Sequence, residues 1–420
     1  MKSLGFCILL ALIIIVFCSN RRWALLGMLV GLLYLTTGQY FVFYGLHLHS
    51  FRLLELAAFI RVIVRRELPV SKISRIDKLY ILVHSSILMI FLFRSTEYQA
   101  YQVGIFLDSI VGYFAFKGII QDLDDLIWCL KVLIVFFIPF VLSLLVERFT
   151  GYNIFSEMGD KIGYDDFTRY NKIRCFGSFS HPTLLGTFGS IFLAFYIGLC
   201  LLNENKIVSI IGAIICLIVI WLSNSGGPIL TTITVLIGWS LWPLRSKMKF
   251  IKLGLLGILL FLILYMKAPI WYIMDRLSSL SGGSGWHRSK LIDVFIENID
   301  QWWLMGMSIK DTVEWLPYIL SETGGADITN QFVLIGISAG IFPLLLFLIL
   351  LTYGYTKITN SILKYQSINT KDTRKELVLW TLGVVFFANI VSWLGISYFD
   401  KTRLLWFFSW AVLTKFTEDS

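Results

Sequence analysis

The chain has 420 residues, 57% of them hydrophobic and 15% charged. Soluble domains carry roughly 25% charged residues, so a water-soluble globular protein is excluded. The formal net charge of +9 fits basic loops that orient membrane spans rather than a nucleic-acid surface.

The first apolar run, Leu4 to Phe17, is followed by Arg21 and Arg22 and lacks a small-residue cleavage signature. It reads as a retained first helix. With that run at 3–19, apolar runs fall near 23–45, 51–64, 79–94, 101–120, 126–146, 184–202, 207–223, 228–243, 251–267, 331–355, 378–396 and 402–415. Most are long enough to cross a hydrocarbon core of ~30 Å. The runs 51–64 and 402–415 are short, and one of them is expected to be re-entrant. The expected fold is an all-α transmembrane bundle of about twelve spans, in the range 11–13. Four charged residues, Glu55, Arg61, Asp108 and Lys117, fall inside predicted spans. Charges there are costly and are expected to pair with polar groups on other helices. Asp108 is the deepest. Five of the six cysteines lie in or beside apolar runs, only Cys175 sits in a clear loop, and there is no C-x-x-C pair. Neither a disulfide framework nor a cysteine metal site is expected.

Lys and Arg set the expected orientation. The segments 65–78, 244–250 and 356–377 are basic and fall on one face, the cytoplasm. The long loops 147–183 and 268–330 then share the opposite face. They are aromatic and mixed in charge, as segments folded at the headgroup level are. Within the second, Arg288 to Asn298 is expected to be helical, with Leu291, Ile292, Phe295, Ile296 and Ile299 at helical spacing. The chain divides into N-terminal helices at 1–146, a core at 147–355 carrying both loops, and a cytoplasmic loop with C-terminal helices at 356–420.

Three constellations carry candidate chemistry. The first is Arg174-x-x-Gly177-x-Phe179-x-His181-Pro182-x-x-Leu185-Gly186. Pro182 suits the first turn of a helix, so Ser180 or His181 is the expected cap, and a helix N-terminus attracts phosphate. Arg174 adds a two-pronged cation. An ordinary capped helix after an interfacial loop explains the same residues. The second constellation places His287, Arg288 and Leu291 ahead of Ile299, Leu304 and Gly306. The third places Thr329, Asn330, Phe332 and Val333 ahead of Gly340 and Ile341.

Together these resemble the bacterial O-antigen ligase and O-antigen polymerase superfamily, over about residues 165 to 350. Departures are Thr183 for an Asn, Ile292 and Trp303 in the second motif, and Thr329 where the family has His. The family's Ser-Arg-Gly turn appears as Ser223-Asn224-Ser225-Gly226-Gly227-Pro228, without its Arg. The resemblance implies a bacterial plasma-membrane glycosyltransferase with its site on the extracytoplasmic face. Its donor would be a glycan on undecaprenyl diphosphate, its acceptor another glycan, its surroundings the lipid bilayer. A flippase and a chain-length regulator are implied partners, nucleic acid is not, and no cofactor or metal is implied. Arg174 and Arg288 would hold the leaving diphosphate, with Arg169 and Arg276 in reserve and Pro182 and Asn330 in the binding site. With the motif His replaced, His181, His287, Glu322 and Asp327 are the candidates for acid–base work. Polymerase is preferred to ligase. A transporter of lipid-linked glycan is the rival of another class, although the chain shows neither the repeats nor the broken midplane helices of transporters.

Overall fold

The computed structural model describes all residues except 1, 44–45, 69–72, 96–97, 160–167, 170, 204, 277–284, 322–323, 368–371 and 418–420. The fold is almost entirely helical. The helices run α1 (Ser3–Cys18), α2 (Arg21–Tyr34), α3 (Ser50–Val64), α4 (Arg75–Arg94), α5 (Gln99–Ile119), α6 (Leu123–Thr150), α7 (Pro182–Leu201), α8 (Lys206–Ser223), α9 (Gly226–Ser240) and α10 (Met248–Tyr265). They continue as α11 (Gly285–Glu297), α12 (Ile299–Trp302), α13 (Gln331–Ala339), α14 (Ile341–Ser367), α15 (Thr373–Trp393) and α16 (Arg403–Thr417). Two short antiparallel hairpins interrupt them: β1 (Tyr40–Phe43) with β2 (Leu46–His49), and β3 (Thr168–Arg169) with β4 (Lys172–Ile173).

Seven helices, α4 to α8, α14 and α15, are long and apolar enough to cross a membrane. An eighth is formed if Leu253–Tyr265 and Ile270–Arg276, bent by 97° at their junction, count as one span. Helices α1 and α9 are apolar but shorter. The surface of α10 is apolar as well, with Leu253 63% and Leu264 86% exposed. Patches of that kind need a solvent other than water.

Three sequence expectations meet a different backbone. The run 23–45 is helical only to Tyr34 and then enters the β1–β2 hairpin. The run 331–355 is not one helix, because Gly340, with φ +84°, separates α13 from α14. The segment 356–367, expected to be loop, continues α14. The helix expected at Arg288 to Asn298 forms, starting at Gly285.

Helix α7 is central, packed against α8, α9 and α15. Small residues let it approach them closely. A Cβ at Gly186 would run into Ser223 Oγ and stand 2.5 Å from Pro228 Cγ, so the α8–α9 junction lies directly against the start of α7. In the segment between α10 and α13, a second core forms around Leu291, Phe295, Trp302 and Trp315 and packs on α13. Phe295 and Trp302 stack there with centroids 3.9 Å apart.

Most buried charges on the N-terminal helices are paired. Arg52 makes a two-point contact with Asp108, at 2.5 and 2.8 Å. Arg61 bonds Glu67 at 3.1 and 3.2 Å. Lys117 bonds Asp77 at 2.6 Å. Glu55 is the exception: it is fully buried, and neither carboxyl oxygen has a hydrogen-bond partner among the described residues.

Candidate functional site

The site begins at the turn before α7. Pro182 occupies the first helical position, and His181 is the cap, its Nδ1 accepting from Thr183 N at 3.1 Å. An imidazole nitrogen that accepts carries no proton, so the proton of the neutral ring is on Nε2. Gly177, with φ +58°, turns the preceding loop; a Cβ there would meet Leu144 Cδ2 at 2.6 Å. The Glu147 carboxylate, near the end of α6, accepts from Phe176 N and Gly177 N at 3.1 and 3.0 Å. These bonds fix the loop that carries Arg174.

Arg174 Nη2 donates to Ser225 Oγ at 2.8 Å and to Thr183 Oγ1 at 3.4 Å. The arginine therefore sits between the N-terminal ends of α7 and α9. Its Nε is buried with no hydrogen-bond partner among the described residues. The β3–β4 hairpin, turned by Asn171 at φ 55°, brings Arg169 back toward the same place, and Asn224 Nδ2 donates to the Arg169 carbonyl at 3.4 Å. Arg288, near the start of α11, arrives from the other long segment. Its side chain lies over Gly395, where a Cβ would stand 3.3 Å from Nε. That Nε is also buried without a partner among the described residues.

The electrostatics record the convergence. Burial lowers the Arg174 pKa to about 10, helped by repulsion from Arg169 and Arg288. Arg288 is lowered by burial and by Arg169, against the attraction of Asp327. The His181 imidazole drops to about 4, first through burial and then through Arg174 and Arg288. Asp327 is raised by burial, opposed by His287 and Arg288. Among the described residues no carboxylate forms an ion pair with Arg174 or Arg288. Half-buried like charges so arranged favour an anion between them, and guanidinium forks match phosphate geometry.

His287 Nε2 donates to the Asp327 carbonyl oxygen at 2.9 Å, leaving Nδ1 as a buried lone pair with no partner among the described residues. Thr329 Oγ1 is likewise buried without such a partner. Asn330 acts locally, as the cap of α13. Its Oδ1 accepts from Phe332 N and Val333 N at 2.9 and 3.2 Å. Arg276 is exposed, at the end of the segment bent from α10. Glu322 lies outside the described residues. Among those residues no three His, Cys, Asp or Glu side chains gather as metal ligands.

Two residues that the motifs do not include hold the loop in place. Asp400 Oδ2 accepts from Ser180 N and Oγ at 3.2 and 2.7 Å. Lys401 Nζ donates to Leu35 O and Ser178 Oγ, both at 2.6 Å, and sits 4.3 Å from the centre of the Phe179 ring. The signal for them was an Asp-Lys-Thr interruption between apolar runs, since charges kept in such places are usually functional or paired. No protein-family model matches the chain, and no curated protein matches it.

Proposed function

We propose that this chain is a plasma-membrane glycosyltransferase that polymerises oligosaccharide units carried on undecaprenyl diphosphate. The observation that carries the reading is the gathering of Arg169, Arg174 and Arg288 beside the N-terminal ends of α7 and α9, with Arg174 and Arg288 lacking ion pairs to described residues. A diphosphate supplies the missing negative charge. In the transfer, an acceptor hydroxyl oxygen bonds to the anomeric carbon and the bond from that carbon to the phosphate oxygen breaks. The electron pair leaves with the lipid diphosphate, whose charge the arginines stabilise. The hydroxyl proton passes to His287 Nδ1, with Asp327 beside it. His181, held neutral, orients rather than titrates. In this reading α1, α2, α3, α9 and α16 supply the further crossings of a bundle of about twelve spans, with both long segments on the extracytoplasmic face.

The test is transfer by purified protein from a lipid-diphosphate donor, with and without chelator. Wild type should form polymer in both conditions, and Arg174→Ala and Arg288→Ala should each form it about a hundredfold more slowly. Full activity of both variants overturns the reading. Product on a lipid A core instead of the carrier lipid would assign ligase chemistry to the same site. Topology has its own check: in intact cells a membrane-impermeant thiol reagent should modify a cysteine at Tyr318, which is 85% exposed, and spare one at Lys364.

A further inference from the structure

A cavity of ≈ 550 Å³ lies at the ends of α3, α5 and α16 and reaches the turn before α7. Small-molecule sites span roughly 300–1,000 Å³. Ser180 lines this cavity. The next residue, His181, is within electrostatic reach of Arg174 and Arg288. Cavity and arginine cluster thus adjoin through two consecutive residues.

Glu55 lines the cavity, and its two buried, unpartnered carboxyl oxygens are the unexplained feature of the N-terminal helices. Leaving them unmet is costly. The neighbouring Arg52 grips Asp108, not Glu55. The remaining wall includes Asp400 and the aromatic rings of Tyr98 and Tyr101. Arg52 and Arg403 share the wall with three carboxyl groups, Glu55, Asp108 and Asp400, so the lining holds no surplus of positive charge for an anion. A lipid tail is disfavoured by the charged lining. Hydroxyl groups suit it: they donate to carboxyl oxygens, and the ring faces of a sugar lie on aromatic side chains.

We propose that this cavity is the acceptor-saccharide subsite, with Glu55 accepting hydroxyl hydrogen bonds. The proposal rests on the glycosyltransferase reading and adds where the attacking sugar is held. A saccharide there approaches the Ser180–His181 turn from one side, while the donor diphosphate is bound by the arginines beside His181.

The test measures binding to the purified full chain by calorimetry. The probe is the tri- and tetrasaccharide fraction released by mild acid from the surface polysaccharide of the producing cells. Wild type should bind it. Glu55→Ala should bind about tenfold more weakly, the scale of one lost hydrogen bond. Ala100→Trp, at an exposed position on the cavity lining, should block entry without disturbing the core, and so guards against a folding defect at Glu55. Arg174→Ala should bind the free saccharide as wild type does while losing transfer. Equal binding by wild type, Glu55→Ala and Ala100→Trp overturns the proposal. So does a wild type that makes polymer, loses it on Arg174→Ala and binds no saccharide; in that case the glycosyltransferase reading survives alone. Weakened binding in both cavity variants, with Arg174→Ala still making polymer, keeps the cavity and removes the donor site.

Discussion

The cations of the N-terminal helices are buried or half-buried, those beside α7 are half-buried, and the two groups are handled in opposite ways. Lys117 meets Asp77, Arg61 meets Glu67 and Arg52 meets Asp108. Each pair cancels its charge where water is scarce. Arg174 and Arg288 have no such partner among the described residues, and with Arg169 they repel one another. A cation that stabilises a fold is expected with its counter-ion built in, because an uncompensated buried charge costs several kcal/mol. A cation kept for a ligand is expected without one. The two regions separate scaffold from site by that criterion.

Breaking a scaffold pair should give the largest effect. Asp77→Asn leaves the Lys117 ammonium buried without its carboxylate, and the amide keeps a single oxygen where both Lys117 Nζ and the Tyr113 hydroxyl had one. A loss of about 3–5 kcal/mol in stability is expected. Thermal unfolding of the purified protein should show it, together with reduced abundance in the membrane. Unchanged stability would mean that the paired charges are not structural.

The site arginines should behave in reverse. Arg174→Ala and Arg288→Ala should each cost about 3 kcal/mol in transfer, roughly a hundredfold in rate, at wild-type abundance. Arg→Lys should fall between, since an ammonium lacks the guanidinium fork. Polymer quantified against protein on the same blot checks both points. A stability loss matching that of Asp77→Asn would erase the distinction.

Lys401 tests the border between the two classes. It donates to Leu35 O and Ser178 Oγ from a fully buried position. Lys401→Met should cost about 1–3 kcal/mol by stranding those acceptors and should lower activity by loosening the Arg174 loop. Burial lowers the Lys401 pKa to about 7 from 10.5, against the attraction of Asp400. Between these values the unfolded chain binds a proton that the folded chain does not. Wild-type stability relative to Lys401→Met should therefore rise as pH increases from about 7 toward 10.5. Unfolding curves near neutrality and about two pH units above it suffice, and a constant difference would contradict the assignment.

The smallest expected signal is also the most local. His181 is depressed to about 4 by burial, with Arg174 and Arg288 adding repulsion. Arg174→Ala should move it upward toward the ordinary imidazole value without restoring that value, because burial remains. Nitrogen NMR of histidine-labelled protein reads the shift. An unmoved His181 would place Arg174 beyond electrostatic reach.

Much of this was legible in the residues. Apolar runs located the helices, Pro182 marked the start of α7, and the spacing of Leu291, Ile292 and Phe295 announced α11. Other features were not. Tyr40 to Phe43 continues an apolar run, and hydrophobicity alone does not separate a short strand from the end of a span. Gly340 breaks a helix inside unbroken hydrophobicity, and a lone glycine is also tolerated within helices. The convergence of Arg169, Arg174 and Arg288 depends on a short hairpin and on a contact between distant segments. Asp400 reaches Ser180 across 220 positions, a separation that no local pattern encodes.

That last contact bears on how the protein is made. The loop holding Arg174 leaves the ribosome long before Asp400 and Lys401 exist, and until then its contacts come from earlier residues, Leu33, Thr37 and Glu147 among them. Chains caught part-way through synthesis, or cut short before residue 400, would hold Arg174 on a loop that keeps those contacts and lacks the bonds to Asp400 and Lys401. The full set of bonds around the proposed anion site is thus complete only once the segment joining α15 and α16 has packed against the loop.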